Sequence, residues 1–330
     1  MFIFVISMVD SASIFNINNE EQFVECALEV FRFQAEHCEP YRRYLELLGI
    51  GVSDVGCIED IPFMPIELFK STDVYCADRP AEMVFTSSNT GSTVASRHMM
   101  ASLEHYRDTF TRAFKSFYGE PEQWSIYGLL PNYLEREGSS LVYMVDSLIK
   151  QCGSGGFYLH DYEGLIADMK SDPKPKILLG VSYALWDVAE QYAPKLENTI
   201  VMETGGMKGR RKEISKQELH DILCKGFGVE YIHSEYGMAE LTSQAYSKGN
   251  GVFYAPSWMR VLVRDVNDPF DHAPYGKRGG IDVIDLANLY SCAFIQTQDV
   301  GRLCEDGGFM IDGRIAGSDI RGCNLLVHNM

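Results

Sequence analysis

Three separated segments of this 330-residue chain carry polar side chains that could together bind a nucleotide. The first follows the apolar run Met83–Phe85, and its hydroxyls and backbone N–H groups could converge on phosphate oxygens. It consists of Ser87, Ser88, Asn89, Thr90, Gly91, Ser92 and Thr93. The second, Tyr236–Glu240, places a carboxylate beside an aromatic–glycine turn and is suited to hold Mg²⁺. The third combines Asp299 with Arg314, which could bind a ribose diol and a phosphate. In this order, the segments predict a site for ATP and Mg²⁺.

Longer motifs accompany these segments. They are Ile61–Lys70, Glu203–Arg211, His233–Met238 and the ending Ile320–Cys323. Together the motifs resemble the adenylate-forming superfamily of acyl-CoA synthetases and adenylation domains. The closer resemblance is to the acyl-protein synthetases of the bacterial bioluminescence fatty acid reductase complex, also called long-chain-fatty-acid–luciferin-component ligases. This resemblance spans roughly residues 20 to 330, and its longer motifs are specific.

For function, the resemblance implies that a fatty acid attacks ATP to give acyl-adenylate and pyrophosphate, and that a thiol of the enzyme then takes the acyl group. The implied acceptor is Cys323, beside which Arg321 could favour the thiolate. A small buried apolar role is the alternative for an unpaired cysteine, and Cys292 and Cys304 are alternative acceptors. The implied partner is an acyl-CoA reductase-like protein, and a homo-oligomer is one state that the sequence allows.

The resemblance also implies a binding surface for the adenine base. Thr204, Gly205 and Gly206 follow a predicted strand, and paired glycines let the backbone lie flat against a planar ring. Tyr236, followed by Gly237, would stack on that ring. The structural alternatives are an ordinary β-turn for the glycines and a core position for the tyrosine.

The charged candidates take the remaining roles that the resemblance implies. Glu240 would bind Mg²⁺ or, as its alternative, begin a helix. Asp299 would bind the ribose, and Arg314 occupies the place of the hinge-region arginine. Lys208 and Arg97 would neutralise phosphate charge during catalysis, although Arg97 could instead belong to a surface pair.

Composition narrows the class of protein. The chain is 46% hydrophobic and 23% charged, as in soluble globular proteins. Its formal net charge of −17 argues against a nucleic-acid partner, because phosphate backbones require a basic face. Nine cysteines without paired spacing, and no clear secretion signal, predict reduced thiols in the cytoplasm. No stretch approaches the ~20 apolar residues of a membrane span.

Hydrophobic periodicity predicts an α/β fold with a β-rich subdomain near the C-terminus. The predicted helices cover Glu20–Glu36, Tyr41–Leu48, the residues after Ser102, the region Ser139–Gln151 and the residues after the capping box Ser215–Glu218. The predicted strands are Ser125–Leu129, Ile177–Val181, Thr199–Met202 and several between Met259 and Ile311, and a glycine turn is predicted at Gly153–Gly156.

The resemblance gives the domain organisation. A single acyl-protein synthetase-like adenylation domain is expected over residues 1–330, with an extension over about residues 1–19 and a truncated hinge-like tail over 313–330. The C-terminal lid domain of two-domain relatives, which carries a catalytic lysine, is expected to be absent.

Two alternative functions stay open at this point. One is a coenzyme A ligase similar to phenylacetate–CoA ligase, which shares the order of short motifs. The other is a non-catalytic adenylation fold kept as a binding subunit. The second rests on departures from the family pattern at Ser88, Asn89, Ala239 and Ala316.

Overall fold

The computed structural model describes residues 11–87, 94–131, 137–207, 210–212, 214–265, 268 and 271–315. The helices are α1 (Ser11–Phe15), α2 (Glu20–His37), α3 (Glu39–Leu48), α4 (Leu68–Ser71), α5 (Leu103–Tyr118), α6 (Ser140–Cys152), α7 (Tyr162–Ser171), α8 (Ser182–Gln191) and α9 (Lys216–Phe227). The first strands are β1 (Met64–Pro65), β2 (Met83–Thr86), β3 (Arg97–Met100), β4 (Ser125–Leu129), β5 (Gly155–Phe157), β6 (Lys176–Val181) and β7 (Thr199–Thr204). The others are β8 (Ile232–Tyr236), β9 (Ala245–Ser247), β10 (Val252–Phe253), β11 (Met259–Arg264), β12 (Gly279–Asp285), β13 (Phe294–Leu303) and β14 (Phe309–Arg314).

Side-chain caps begin the predicted helices where the sequence places them. Ser102 accepts a hydrogen bond from the N–H of His105, and Ser215 accepts one from the N–H of Glu218. These bonds satisfy N–H groups that have no partner within the helix. Gly228 ends α9 in the left-handed region, with φ of 74°. The predicted helix positions are thereby confirmed to within two residues.

A parallel sheet forms the first layer, with strands in the order β5-β4-β6-β7-β8 and with β9 antiparallel at the edge. Every residue of β4 and β6 is buried, as expected for strands covered on both faces. Helix α8 connects β6 to β7 and α9 connects β7 to β8, so both connections are βαβ crossovers. The carboxyl ends of β7 and β8 therefore lie side by side.

A second sheet, largely antiparallel, has the order β10-β14-β13-β12-β11, which confirms the predicted β-rich region. Strand β1 from the N-terminal third pairs in parallel with β13 through Met64 and Ile295. Sequence reasoning did not predict that pairing. An isolated bridge between Tyr246 and Tyr254 links the edges of the two sheets.

The predicted glycine turn at Gly153–Gly156 is wrong in its second half. Gly153 does close α6 with φ of 67°, but Gly155 begins the edge strand β5. A Cβ atom on Gly155 would lie 1.9 Å from the carbonyl oxygen of Ile126. Glycine is therefore needed at this position for close strand approach and not only for turning.

None of the helices in the described ranges is long and apolar enough to cross a membrane.

Candidate nucleotide site

The candidate site begins where β7 and β8 end. In open α/β sheets, ligands bind outside the carboxyl ends of the strands. Here the two strand ends carry polar residues that face one another, with Glu203 opposite Ser234 in the register. Between them lies the strand-end cleft, lined by Glu203, Thr204, Gly205, Lys216, Glu235, Tyr236, Gly237 and Phe253.

Tyr236 connects the strand-end cleft to the second sheet. Its hydroxyl donates a hydrogen bond of 2.9 Å to Oδ2 of Asp299, which lies on β13. Asp299 faces Arg314 across the β13–β14 pair, with 3.7 Å between Nε of Arg314 and Oδ1. The ring of Tyr236 packs against Phe253 and Phe309 and is buried. The structure thus brings together three candidates that lie up to 78 residues apart in the sequence, from Tyr236 to Arg314.

Gly205 and Gly206 follow β7 directly, as the sequence predicted for the adenine platform. Gly205 adopts a positive φ of 74°, which favours glycine. Its carbonyl oxygen accepts a hydrogen bond of 2.6 Å from Oγ of Ser182 at the start of α8. The path of the backbone here is therefore held by the neighbouring crossover, whereas stacking of a base on it stays a prediction.

Glu203 is a buried carboxylate that has its own cation. Its Oε1 lies 2.9 Å from Nζ of Lys216 and 3.6 Å from Nε2 of His220, both on α9. Burial opposes ionisation, yet Lys216 and His220 hold the pKa of Glu203 well below its ordinary value. Nζ of Lys216 also lies 4.6 Å from the centre of the Phe253 ring. A fixed ion pair therefore forms one wall of the cleft.

Glu235 is a second buried carboxyl in the same cleft, without such a cation. It accepts a hydrogen bond of 2.5 Å from Oγ1 of Thr204. Burial, together with the negative charge of Glu203, raises the pKa of Glu235 to about 7. A Cβ atom on Gly237 would lie 2.4 Å from Oε1 of Glu235, so the glycine makes room for this carboxyl. Near neutral pH, Glu235 is consequently poised between a neutral and a charged form.

This carboxyl makes stability depend on pH in a defined direction. Because the pKa of Glu235 is raised from 4.5 to about 7, the folded chain holds a proton that the unfolded chain has lost in that window. The free energy of unfolding should fall as pH rises through the window, by up to about 3 kcal/mol. Glu235→Gln stays neutral and should be more stable than the wild type at pH 8, measured by urea denaturation.

A second variant in the same cleft should change the stability in the opposite direction. Glu203→Gln removes the partner of Lys216 and should be less stable than the wild type at pH 8. If Glu235→Gln shows the same stability difference from the wild type at pH 5 and pH 8, the buried carboxyl does not titrate in this window.

Of the hydroxyl-rich segment Ser87–Thr93, the structure describes only the first residue, Ser87. Ser87 accepts a hydrogen bond of 2.9 Å at Oγ from the N–H of Ser96, and its own N–H donates to the Ser96 carbonyl oxygen. These two hydrogen bonds hold Ser87 against Ser96. Ser88, Asn89, Thr90, Gly91, Ser92 and Thr93 lie outside the described residues, and their phosphate-binding role stays a prediction.

Among the cationic candidates, Arg97 does not line the strand-end cleft. Arg97 lies on β3 with its side chain half exposed, and Nη1 is 2.9 Å from Oδ1 of Asp73. That contact matches the surface pair considered as its alternative. Lys208 lies outside the described residues, as does Cys323. Lys216 is a cleft cation that sequence reasoning did not identify, because its helix-start position reads as ordinary solvated charge.

Glu240 lies in the turn after β8 and is fully buried. Its carbonyl oxygen accepts a hydrogen bond of 2.9 Å from Nδ2 of Asn288. Asp285 holds the next part of the turn by accepting hydrogen bonds of 2.8 Å from the N–H groups of Thr242 and Ser243. The predicted Mg²⁺ ligand is thus located in a turn whose backbone is anchored from the second sheet.

The two alternative acyl acceptors differ in exposure. Cys292 is fully buried before β13, and burial raises its pKa well above the ordinary value. Cys304 is partly exposed, and burial likewise raises its pKa. Both environments disfavour the thiolate that attacks activated carbonyls, and the choice among Cys292, Cys304 and Cys323 stays a prediction.

The fold of this chain is similar to that of several solved structures. No protein-family model and no curated protein matches the sequence. Among solved structures, 2-hydroxyisobutyryl-CoA ligase in the postadenylation state with R3-HIB-AMP matches 96% of this chain and 72% of its own, at TM-score 0.70 and 14% identity. Its open conformation with 2-HIB-AMP and CoA matches 92% of this chain and 76% of its own, at TM-score 0.68 and 16% identity.

A second ligase supports the same fold. ATP-bound MatB from Rhodopseudomonas palustris matches 72% of this chain and 50% of its own, at TM-score 0.55 and 15% identity. Identities this low establish a common fold and leave substrates open. The chain therefore shares the α/β fold of 2-hydroxyisobutyryl-CoA ligase and of MatB.

Proposed function

We propose that this protein activates a carboxylic acid with ATP by forming an acyl-adenylate. The observation that carries the proposal is the convergence of Gly205, Tyr236 and Asp299 at the carboxyl ends of β7 and β8. Similar folds have been solved with ATP in MatB and with an adenylate in 2-hydroxyisobutyryl-CoA ligase. The site and the fold therefore support the same class of reaction.

In the proposed reaction, a carboxylate oxygen of the acid attacks the α-phosphorus of ATP. A new P–O bond forms while the bond from the α-phosphorus to the bridging oxygen breaks, and pyrophosphate leaves. The protein acts mainly by positioning the two reactants and by neutralising charge. In this proposal Asp299 holds the ribose, Tyr236 packs on the base, and Arg314 and Lys208 supply positive charge. Arg97 would contribute only if it left its ion pair with Asp73.

The candidate residues offer Mg²⁺ one carboxylate ligand, Glu240. Among the described residues no group of three or more His, Cys, Asp or Glu side chains could hold a metal ion. Mg²⁺ in nucleotide sites commonly takes one or two carboxylates and completes its shell with phosphates and water, so the single carboxylate of Glu240 is compatible with this mode. When bound, the ion would offset negative charge on the phosphates.

The Mg²⁺ role of Glu240 predicts a selective loss of activity. Glu240→Gln keeps the size of the side chain but removes its charge, and it should lower Mg²⁺-dependent pyrophosphate exchange about tenfold or more. Asp285→Asn is the matched comparison, because Asp285 holds the same turn by accepting a hydrogen bond from the N–H of Ser243. Exchange at the wild-type rate over a magnesium titration of Glu240→Gln would remove Glu240 from the metal site.

For the second half-reaction, we propose transfer of a fatty acyl group to the thiol of Cys323. The thiolate attacks the carbonyl carbon of the adenylate, a thioester forms, and AMP leaves. The proposal rests on the resemblance of the C-terminal motif. The proposal includes a reductase-like partner protein that would take the acyl group, and it includes a cytoplasmic location.

Coenzyme A is the competing acceptor, and one observation favours it: two of the solved structures reported above are named as a CoA ligase. The two acceptors give different products. If coenzyme A is the acceptor, incubation with ATP, acid and CoA yields free acyl-CoA. If Cys323 is the acceptor, mass analysis of the protein finds an acylated chain.

The experiment that tests the proposed function is pyrophosphate exchange with a panel of acids. Radiolabelled pyrophosphate should enter ATP only when the correct acid and Mg²⁺ are both present. The panel runs from acetate through long-chain fatty acids and includes 2-hydroxy acids. If no acid supports exchange although ATP binds by calorimetry, the non-catalytic alternative replaces this proposal.

A further inference from the structure

Gln298 lies between two charged side chains, next to the candidate ribose carboxylate of Asp299. Its Nε2 donates a hydrogen bond to Oε1 of Glu67, which directly precedes α4. Its Oε1 accepts a hydrogen bond of 2.5 Å from Nη2 of Arg314. A neutral amide therefore connects a carboxylate on one side with a guanidinium on the other.

The two partners fix the orientation of this amide. A carboxylate can only accept hydrogen bonds, and a guanidinium can only donate them. If the amide were reversed, its oxygen would face the Glu67 carboxylate and its NH₂ group would face Arg314. Glu67 therefore determines that Gln298 presents its oxygen to the guanidinium.

The pairing of β1 with β13 explains how Glu67 reaches Gln298. Pro65 lies opposite Gln296 in the parallel register. When this register is continued by two residues, position 67 comes to position 298. The motif Ile61–Lys70, which has no role in the strand-end cleft, thereby reaches the segment that carries Asp299.

Gln298 also holds the chain that follows Arg314. The N–H of Ile315 donates a hydrogen bond of 2.9 Å to the carbonyl oxygen of Gln298. Arg314 is the last residue of β14 and lies opposite Asp299 in the β13–β14 register. The side chain and the backbone of Gln298 together fix the end of β14 beside the Asp299 carboxylate.

Arg314 has a buried donor that lacks an acceptor. Its side chain is 10% exposed, and no atom of the described part of the chain accepts a hydrogen bond from Nε. Oδ1 of Asp299 lies 3.7 Å from this nitrogen, whereas an N–H···O bond spans roughly 2.7–3.2 Å. Because an unmet buried donor costs free energy, the gap between the two atoms is suited to a polar group that arrives with a ligand.

A hydroxyl group has the chemistry that fits this gap. It can accept a hydrogen bond from Nε of Arg314 and donate one to Oδ1 of Asp299. The other oxygen of Asp299 already accepts from the hydroxyl of Tyr236, so Oδ1 is the oxygen on the Arg314 side. A ribose hydroxyl of the proposed nucleotide would complete a chain of hydrogen bonds that begins at Glu67.

We propose that Gln298 is a positioning residue, oriented by Glu67, that holds Arg314 at the distance from Asp299 at which one ribose hydroxyl bridges the two side chains. Through this arrangement the site selects ribonucleotides over deoxyribonucleotides. The role rests on the proposed function, because the ligand is the ATP of that reaction.

Calorimetric titration of the full-length protein with ATP, 2′-deoxy-ATP and 3′-deoxy-ATP tests the arrangement. The wild type should bind one deoxy analogue about tenfold or more weakly than ATP, because Nε and Oδ1 lose their shared partner. Gln298→Ala should weaken ATP binding about tenfold and leave binding of that analogue nearly unchanged. The ratio of the two affinities should therefore shrink, whereas loss of a purely structural contact would weaken both nucleotides equally.

Matched variants separate the role of Gln298 from that of its strand. Gln296 lies two residues earlier on the same face of β13, and Gln296→Ala should keep the wild-type ratio. Glu67→Ala frees the amide to turn and should shrink the ratio by less than Gln298→Ala. Glu67→Gln keeps an oxygen that accepts from Gln298 and should restore the wild-type ratio. Because Glu67 is exposed, these two variants decide the proposal even if Gln298→Ala does not fold.

Kinetics provide a second measurement. In pyrophosphate exchange, Gln298→Ala should raise the KM for ATP about tenfold with little change in kcat, because the bridged hydroxyl is bound alike before and during the reaction. A wild type that binds ATP and both deoxy analogues equally overturns the proposal, as does a folded Gln298→Ala protein with the wild-type ratio. If the wild type binds ATP but no acid supports exchange, the proposed function fails, and the binding ratios still decide the role of Gln298.

Discussion

Asp299→Ala should weaken ATP binding by about a hundredfold or more, because two hydrogen bonds from a ribose diol to a carboxylate contribute roughly 1.5–3 kcal/mol each. The carboxylate lies at the junction of the two sheets, where Tyr236 donates to one oxygen and Arg314 approaches the other. Calorimetric titration with ATP measures the change directly. Binding of the acid substrate should change far less, since the acyl group does not contact the ribose.

A control variant separates nucleotide binding from loss of strand pairing. Asp312→Ala removes another carboxylate from the same strand pair, one whose oxygens lie 3.2 and 3.0 Å from Nη1 of Arg302. This variant should keep the affinity for ATP although it also removes a buried carboxylate from an ion pair. Equal ATP affinity in Asp299→Ala and the wild type would remove Asp299 from the site.

Cys323→Ser should abolish formation of an acyl-enzyme while leaving the first half-reaction intact. Incubation of the wild type with ATP and radiolabelled fatty acid is expected to label the protein through a thioester, which hydroxylamine releases. The serine variant should still exchange pyrophosphate, because adenylation precedes the attack by the thiol. The expected effect on labelling is complete loss.

Cysteine variants elsewhere provide the controls for this experiment. Cys304→Ser changes a partly exposed thiol and should retain the label, as should Cys292→Ser if it folds. A hydroxylamine-sensitive label that persists in Cys323→Ser would assign the acceptor to another cysteine. Free acyl-CoA without labelled protein would instead favour the CoA ligase.

Much of the fold could be predicted from local patterns. The Ser215 cap, the apolar face of α2 and the apolar run Ile177–Leu179 in β6 each depend on neighbours in sequence. Such signals specify an element without knowledge of its surroundings. The pairing of β1 with β13 could not be predicted in this way, because Met64 and Pro65 are too short a strand to show a period.

Some residues of the candidate site could likewise be identified from the sequence, and others could not. Tyr236 and Asp299 could be chosen from their motifs, since aromatic, acidic and glycine residues in that order suit a nucleotide. The buried pairs Glu203–Lys216 and Thr204–Glu235 could not, because a lysine at a helix start and a glutamate in a strand have many ordinary roles. Their significance depends on burial and on distance.

By itself, the sequence determined the types of chemistry available and the order of helices and strands, because caps, periodicity and turn residues act over a few positions. Only the tertiary structure decided which side chains share a cavity and which charges are neutralised. It joined Tyr236 to Asp299 across two sheets, and it placed Lys216 beside the buried carboxylate of Glu203. The physical reason is that hydrogen-bond partners and local dielectric are set by residues distant in sequence, and these conditions govern protonation and binding.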